Sequence, residues 1–240
     1  MNTFDWKRFG TLVLHDVRRL DPGLGGYGTQ MVTLASFPVL MTLFNWLVPS
    51  QSYMVSAFTR MLYIAAAGVI AGLMVPYYHY NTVAKKKQGR YFAMLPASKG
   101  EKWWSMALLT AVICPLMAFA ASSLLDSLLA LFNFGPWKGF IWQEFGWLAD
   151  GALVWLNVLA AYLLVMAASM LSATIDSKWV RNTIFLGNII LAVVMVVIFP
   201  AIDDIHSIDP QVLGVLLAVQ VALCLFCAWL SRHRMDRMTY

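Results

Sequence analysis

The chain has 240 residues, 60% of them apolar and 12% charged, with a mean hydropathy of +0.69 and a formal net charge of +5. A soluble domain carries about 25% charged residues, so this composition points away from one and toward an integral membrane protein. Cys114, Cys224 and Cys227 all lie inside apolar runs, which excludes a secreted disulfide framework; "CLFC" (224–227) has redox spacing but reads as small apolar residues on one helix face.

The first stretch, MNTFDWKRFGTLVLHDVRRLDPG, mixes charges throughout and lacks the apolar core of a secretory signal. Insertion is therefore expected to rely on a span that stays in the protein. Within it Trp6, Phe9, Val13, Val17 and Leu20 recur at three- and four-residue steps, with Lys7, Arg8, Thr11, Arg18 and Arg19 mainly elsewhere around the helix. The pattern predicts an amphipathic helix over 4–20 lying flat in the cytoplasmic interface, with Trp6, Phe9, Val13 and Val17 toward lipid. A helix packed on a protein neighbour is the alternative. "DPGLGGYG" (21–28) ends it.

A bilayer core of about 30 Å takes roughly 20 helical residues. Six apolar stretches reach that length: approximately 30–49, 57–78, 105–132, 152–174, 183–202 and 211–231. Each is predicted to be a helix, because backbone polar groups in lipid need internal partners; the short alternating segments of a β-barrel are absent. The predicted fold is thus all-α: one polytopic membrane domain over 1–240, with six transmembrane helices and an N-terminal interfacial helix. The third run exceeds one crossing, so it tilts or extends beyond the lipid. Pro115, inside that run, is the clearest kink candidate among Pro38, Pro115 and Pro200.

Lysine and arginine set the orientation. With a cytoplasmic N-terminus, the inside segments hold Lys7, Arg8, Arg18, Arg19, Lys85, Lys86, Lys87, Arg90, Lys99, Lys102, Lys178, Arg181, Arg232, Arg234 and Arg237, against only Arg60 and Lys138 outside. This bias predicts both termini on the cytoplasmic side of the membrane. Trp46, Trp103, Trp104, Trp179 and Trp229 fall near span ends, where indole rings prefer to sit. The net positive charge is accordingly a topology signal, and no nucleic-acid partner is expected.

Between the second and third spans lie "KKKQGR" (85–90), read as a topology determinant with a lipid-binding basic patch as the alternative, and "YFAMLPASKGEKWW" (91–104). Pro96 biases Leu95 away from helix. Ser98 and Glu101 have capping-box spacing, so a helix is predicted to start near Lys99 and run into the third span. The product is a stiff cytoplasmic element continuous with a transmembrane helix, able to transmit a push. On the outer side, 133–150 carries Trp137, Phe140, Ile141, Phe145, Trp147 and Leu148. It reads either as a short interfacial or re-entrant helix or as a loop packed over helix ends.

No phosphate-cradling G-x-x-x-x-G-K-[ST], H-E-x-x-H or G-x-S-x-G occurs. His15, His79, His206 and His233 are scattered, so no metal site is expected. The spans hold one charged candidate, Asp126, with Asn157, Asn188 and Gln220 as polar contacts between helices. No catalytic residue, proton relay or ion-coupling site is legible. This disfavours an intramembrane enzyme and an ion-driven transporter, and it leaves a non-transporting scaffold or sensor subunit open.

"FDWKRFGTLVLHDVR", the six spans and "MLPASKGEKWWSM" together resemble the permease subunits of bacterial type-2 exporters among the ATP-binding-cassette (ABC) transporters. Many of these carry LP-x-S-x-x-E before the third span, here Leu95, Pro96, Ser98 and Glu101. Most of the chain shares the layout, while motif-level likeness is confined to 94–106. The resemblance implies a membrane dimer, with a second permease copy that is identical or related, plus separate ABC ATPase subunits. Leu95, Pro96, Ala97, Ser98, Lys99, Glu101, Lys102 and Trp103 would form the coupling element seated in the ATPase, and 4–20 the connecting helix. ATP and Mg would belong to the ATPase, with no cofactor in this chain. The outer loop 203–210 is shorter than in relatives with paired re-entrant helices there, a departure from the polysaccharide exporters. The sparse charge of the spans favours an amphipathic or apolar cargo.

Overall fold

A computed structural model describes residues 4–19, 27–47, 57–80, 94–133, 137, 139–141, 152–175, 177–201 and 210–237. "KKKQGR" (85–90), most of the aromatic outer segment (142–150) and the acidic loop near 203–209 lie outside the described residues.

The described residues form helices and contain no strand. In chain order these are α1 (Trp6–Arg19), α2 (Tyr27–Leu47), α3 (Ala57–Met74), α4 (Lys99–Leu108), α5 (Cys114–Leu131), α6 (Ala152–Ala173), α7 (Lys178–Ala201) and α8 (Pro210–Arg237). A π-helical turn, Val75–His79, continues α3, and another, Leu109–Ile113, joins α4 to α5. Among the described residues, four helical stretches are long and apolar enough to cross a membrane: Thr59–Tyr77, Lys99–Leu131, Leu156–Ala173 and Pro210–Arg237. The expected stretches 30–49 and 183–202 fall largely on α2 and α7, helices of 21 and 24 residues.

The π turn before α5 follows from proline chemistry. Pro115 has no N–H to give the carbonyl of Ala111, four residues back. The Tyr162 hydroxyl on α6 donates to that carbonyl instead. The helix therefore stays continuous through the proline, with a π turn absorbing the mismatch. Pro76 lies in the first turn of the other π-helical segment, Val75–His79.

α3 packs on α2 and α5, while the most extensive pairing joins α6 to α8. "GVIAG" (68–72) sets the closest approach. A Cβ on Gly72 would lie 2.7 Å from the Thr110 carbonyl and 2.8 Å from Met166 Sδ, and one on Gly68 would lie 3.3 Å from the Pro115 carbonyl. Two small residues one turn apart let backbones meet, the common device where hydrophobicity alone does not draw helices together. The main core cluster, including Tyr80, Trp103, Met106, Leu109 and Met170, gathers at the end of α3 where α4 begins.

Candidate functional site: the α1–α4 junction

Ser98 caps α4. Its backbone is extended (φ −67°, ψ 157°), and its hydroxyl accepts the Glu101 N–H at 3.2 Å. The Glu101 carboxylate returns to the Ser98 N–H at 2.8 Å, completing the capping box predicted from the spacing. Just before it, the Ala97 N–H donates to the Leu95 carbonyl at 2.7 Å, tightening the turn.

The other Glu101 oxygen leaves the local motif. Oε1 accepts the Asp5 backbone N–H at 2.8 Å and the Arg8 guanidinium at 3.1 Å. Glu101 is fully buried, so one carboxylate caps α4 and receives the start of α1 together. Arg8 is half-exposed and also lies 3.7 Å from Asp5.

A second carboxylate fixes the far part of α1. Asp16, 1% exposed, accepts hydrogen bonds from the Tyr80 hydroxyl and the Ser105 hydroxyl, each at 2.8 Å. Burial, reinforced by the neighbouring Asp16 charge, pushes the Tyr80 phenol well above its ordinary range. Tyr80 therefore stays a neutral donor. α4 is also tied to the end of α8, where the Trp103 indole donates to Ser231 Oγ at 2.9 Å and Lys99 Nζ donates to the Asp236 carbonyl.

Placement of the expected site residues divides them. Met94, Pro96 and Lys99 are exposed, and Leu95, Ala97 and Ser98 are half-buried, whereas Glu101, Lys102 and Trp103 are buried. The exposed group can touch a partner, while the buried group holds the turn in shape. On α1, Trp6 is exposed and Phe9 is half-buried, the two in edge contact with ring centroids 6.0 Å apart. Val13 and Val17 pack against the core cluster beside Leu95. A cavity of about 320 Å³ separates α1 from the turn, lined by Lys7, Arg8, Thr11, Leu12 and His15 on one side and Leu95, Pro96 and Ala97 on the other.

Sequence reading missed Asp5, Arg8, Asp16, Tyr80, Ser105 and Ser231 as members of this junction. One signal was available: Asp16 follows Leu12 by four residues, a carboxylate on the buried stripe of α1 that needs a partner. Among the described residues, no group of three His, Cys, Asp or Glu side chains is placed to hold a metal. The arrangement is mechanical: a capped helix start bonded to α1, to the end of α3 and to the end of α8. No protein-family model matches this chain, and neither does any curated protein or solved structure.

Proposed function

We propose that this chain is the membrane permease subunit of a bacterial ABC-type exporter, working as a dimer with separate ATPase subunits. In this reading α2 and α7 complete six crossings of the inner membrane, and both termini face the cytoplasm. ATP and Mg are bound by the partner, and this chain receives the work of hydrolysis mechanically.

The observation that carries the reading is the immobilised turn 94–98. A relay must be stiff on one side and exposed on the other. Glu101 and Asp16 supply the stiffness through bonds to α1, Tyr80 and Ser105, and Met94, at 76% exposed, Pro96 and Lys99 supply the contact. The turn is covalently continuous with the Lys99–Leu131 helix, so displacement of the turn moves that helix. The Trp103–Ser231 bond carries the same movement to α8. ATP-driven closure of the partner would alternate the exposure of a path between two permease copies. Few charges line the helices, which suits an amphipathic or apolar cargo.

Co-expression of the tagged chain with an ABC ATPase encoded beside its gene tests this. The ATPase is expected to co-purify, and Leu95→Asp or Met94→Asp to abolish co-purification while membrane insertion is unchanged. An ATPase that binds both variants as well as the parent would remove the coupling role.

A further inference from the structure

α3 is gripped by a buried carboxylate at each end. Asp16 acts near Tyr80; the other, Asp126 of α5, acts near Arg60. Twenty residues separate Arg60 from Tyr80, about 30 Å of helix at 1.5 Å per residue. Arg60 and Asp126 are 1% and 3% exposed, and Arg60 Nη1 lies 3.6 Å from Asp126 Oδ1. Trp137 and residues 139–141 close over this pair. The Trp137 indole donates to Asp126 Oδ1 at 2.9 Å, and Arg60 Nη2 donates to the Gly139 carbonyl at 2.6 Å. Gly139 turns that carbonyl inward at φ 83°, a left-handed conformation that glycine adopts without Cβ strain. Trp137 and Ile141 are completely buried.

The pair is closed but incompletely bonded. Arg60 Nε and Nη1 and Asp126 Oδ2 are enclosed without a hydrogen-bond partner. A separation of 3.6 Å is beyond hydrogen-bond range. A guanidinium and a carboxylate can instead form two parallel bonds, the geometry that best offsets the cost of burying both charges. Opening this cover to water would hydrate all three orphan atoms. The gain from hydration works against the packing of Trp137 and Ile141, so the open and closed arrangements lie closer in free energy than a fully bonded pair would allow.

We propose that Arg60 and Asp126 form a reversible clasp that closes Trp137 and residues 139–141 over the ends of α3 and α5, opposite the α1–α4 junction. The clasp does not depend on an ATPase partner. If the chain is a permease, the clasp lies at the outer mouth and shuts it.

The test uses the full chain in detergent, with Cys114, Cys224 and Cys227 replaced by alanine and Ile141→Cys as reporter. A hydrophilic maleimide reads the accessibility of position 141, with Ala173→Cys as a buried reporter at the other end of the molecule. Position 141 is expected to react slowly in the parent, at least tenfold faster with Asp126→Asn and about threefold faster with Trp137→Phe, while position 173 is unchanged. Trp137→Phe removes one hydrogen bond and keeps the ring, so it decides the matter if Asp126→Asn does not accumulate. Rates at 141 within twofold of the parent would overturn the clasp. So would equal acceleration at 141 and 173, which is general loosening.

Discussion

Asp16 on α1 accepts a hydrogen bond from the Tyr80 hydroxyl at 2.8 Å across 64 residues of chain. The same oxygen receives Ser105 from α4. Three segments thus meet on one carboxylate atom, which makes α1 part of the bundle's end.

Removing that carboxylate should release α1. Asp16→Ala removes the acceptor that two buried hydroxyls share, and each such loss costs about 1–3 kcal/mol. A loss of about 3 kcal/mol is expected, with Asp16→Asn, which keeps an acceptor oxygen, losing about 1. Thermal unfolding in detergent gives the ranking, and trypsin cleavage near Lys7 and Arg8 should quicken in the alanine variant. Equal melting of the two variants would show that the site tolerates empty hydroxyls.

The junction should weaken in alkali. The phenol of Tyr80 is raised above its ordinary value in the folded protein, and an unfolded tyrosine titrates near about 10. Folding therefore retains a proton that the unfolded chain would release. This contribution is complete below about 10 and is lost as pH climbs from there through the raised folded value. The parent should lose melting temperature more steeply between about pH 9.5 and 11 than Tyr80→Phe. Parallel slopes would contradict it.

Glu101 should matter for shape more than for charge pairing. Arg8 is half-exposed, so its ion pair contributes little in water. The two backbone N–H groups, of Asp5 and Ser98, are the larger part. Glu101→Ala should cost about 3 kcal/mol, whereas Arg8→Ala should cost under about 1 kcal/mol. Chemical denaturation, or melting where unfolding is reversible, separates the two. An Arg8 effect as large as the Glu101 effect would reverse the assignment.

The two glycines at 10 and 72 should respond oppositely to alanine. At Gly72 the new methyl would meet the Thr110 carbonyl at 2.7 Å, and that backbone cannot yield cheaply; a loss of about 1–3 kcal/mol follows. At Gly10, inside α1, nothing lies within 4 Å, so alanine should stabilise α1 by about 0.5–1 kcal/mol. Melting temperatures should order Gly10→Ala above the parent and Gly72→Ala below it.

The features decided within a few residues were legible without coordinates. Ser98 and Glu101, three apart, fix the start of α4, because a capping box closes on its own backbone. Proline at 115 withdraws an N–H from a position that counting identifies. Long apolar runs become helices because their backbones have to bond internally. What the chain order did not convey is which side chain meets which helix. Arg60, counted among the outer-side charges, is buried against Asp126, 66 residues later in the chain. Val13 and Val17, expected toward lipid, lie against the core cluster. Glu101 reaches back 96 residues to Asp5. The reason is physical: lipid tails and a packed helix are about equally apolar, so hydropathy marks a face as dry without saying what covers it. At Gly68 and Gly72 the small residues admit a neighbouring backbone, and only the assembled structure shows which one it is.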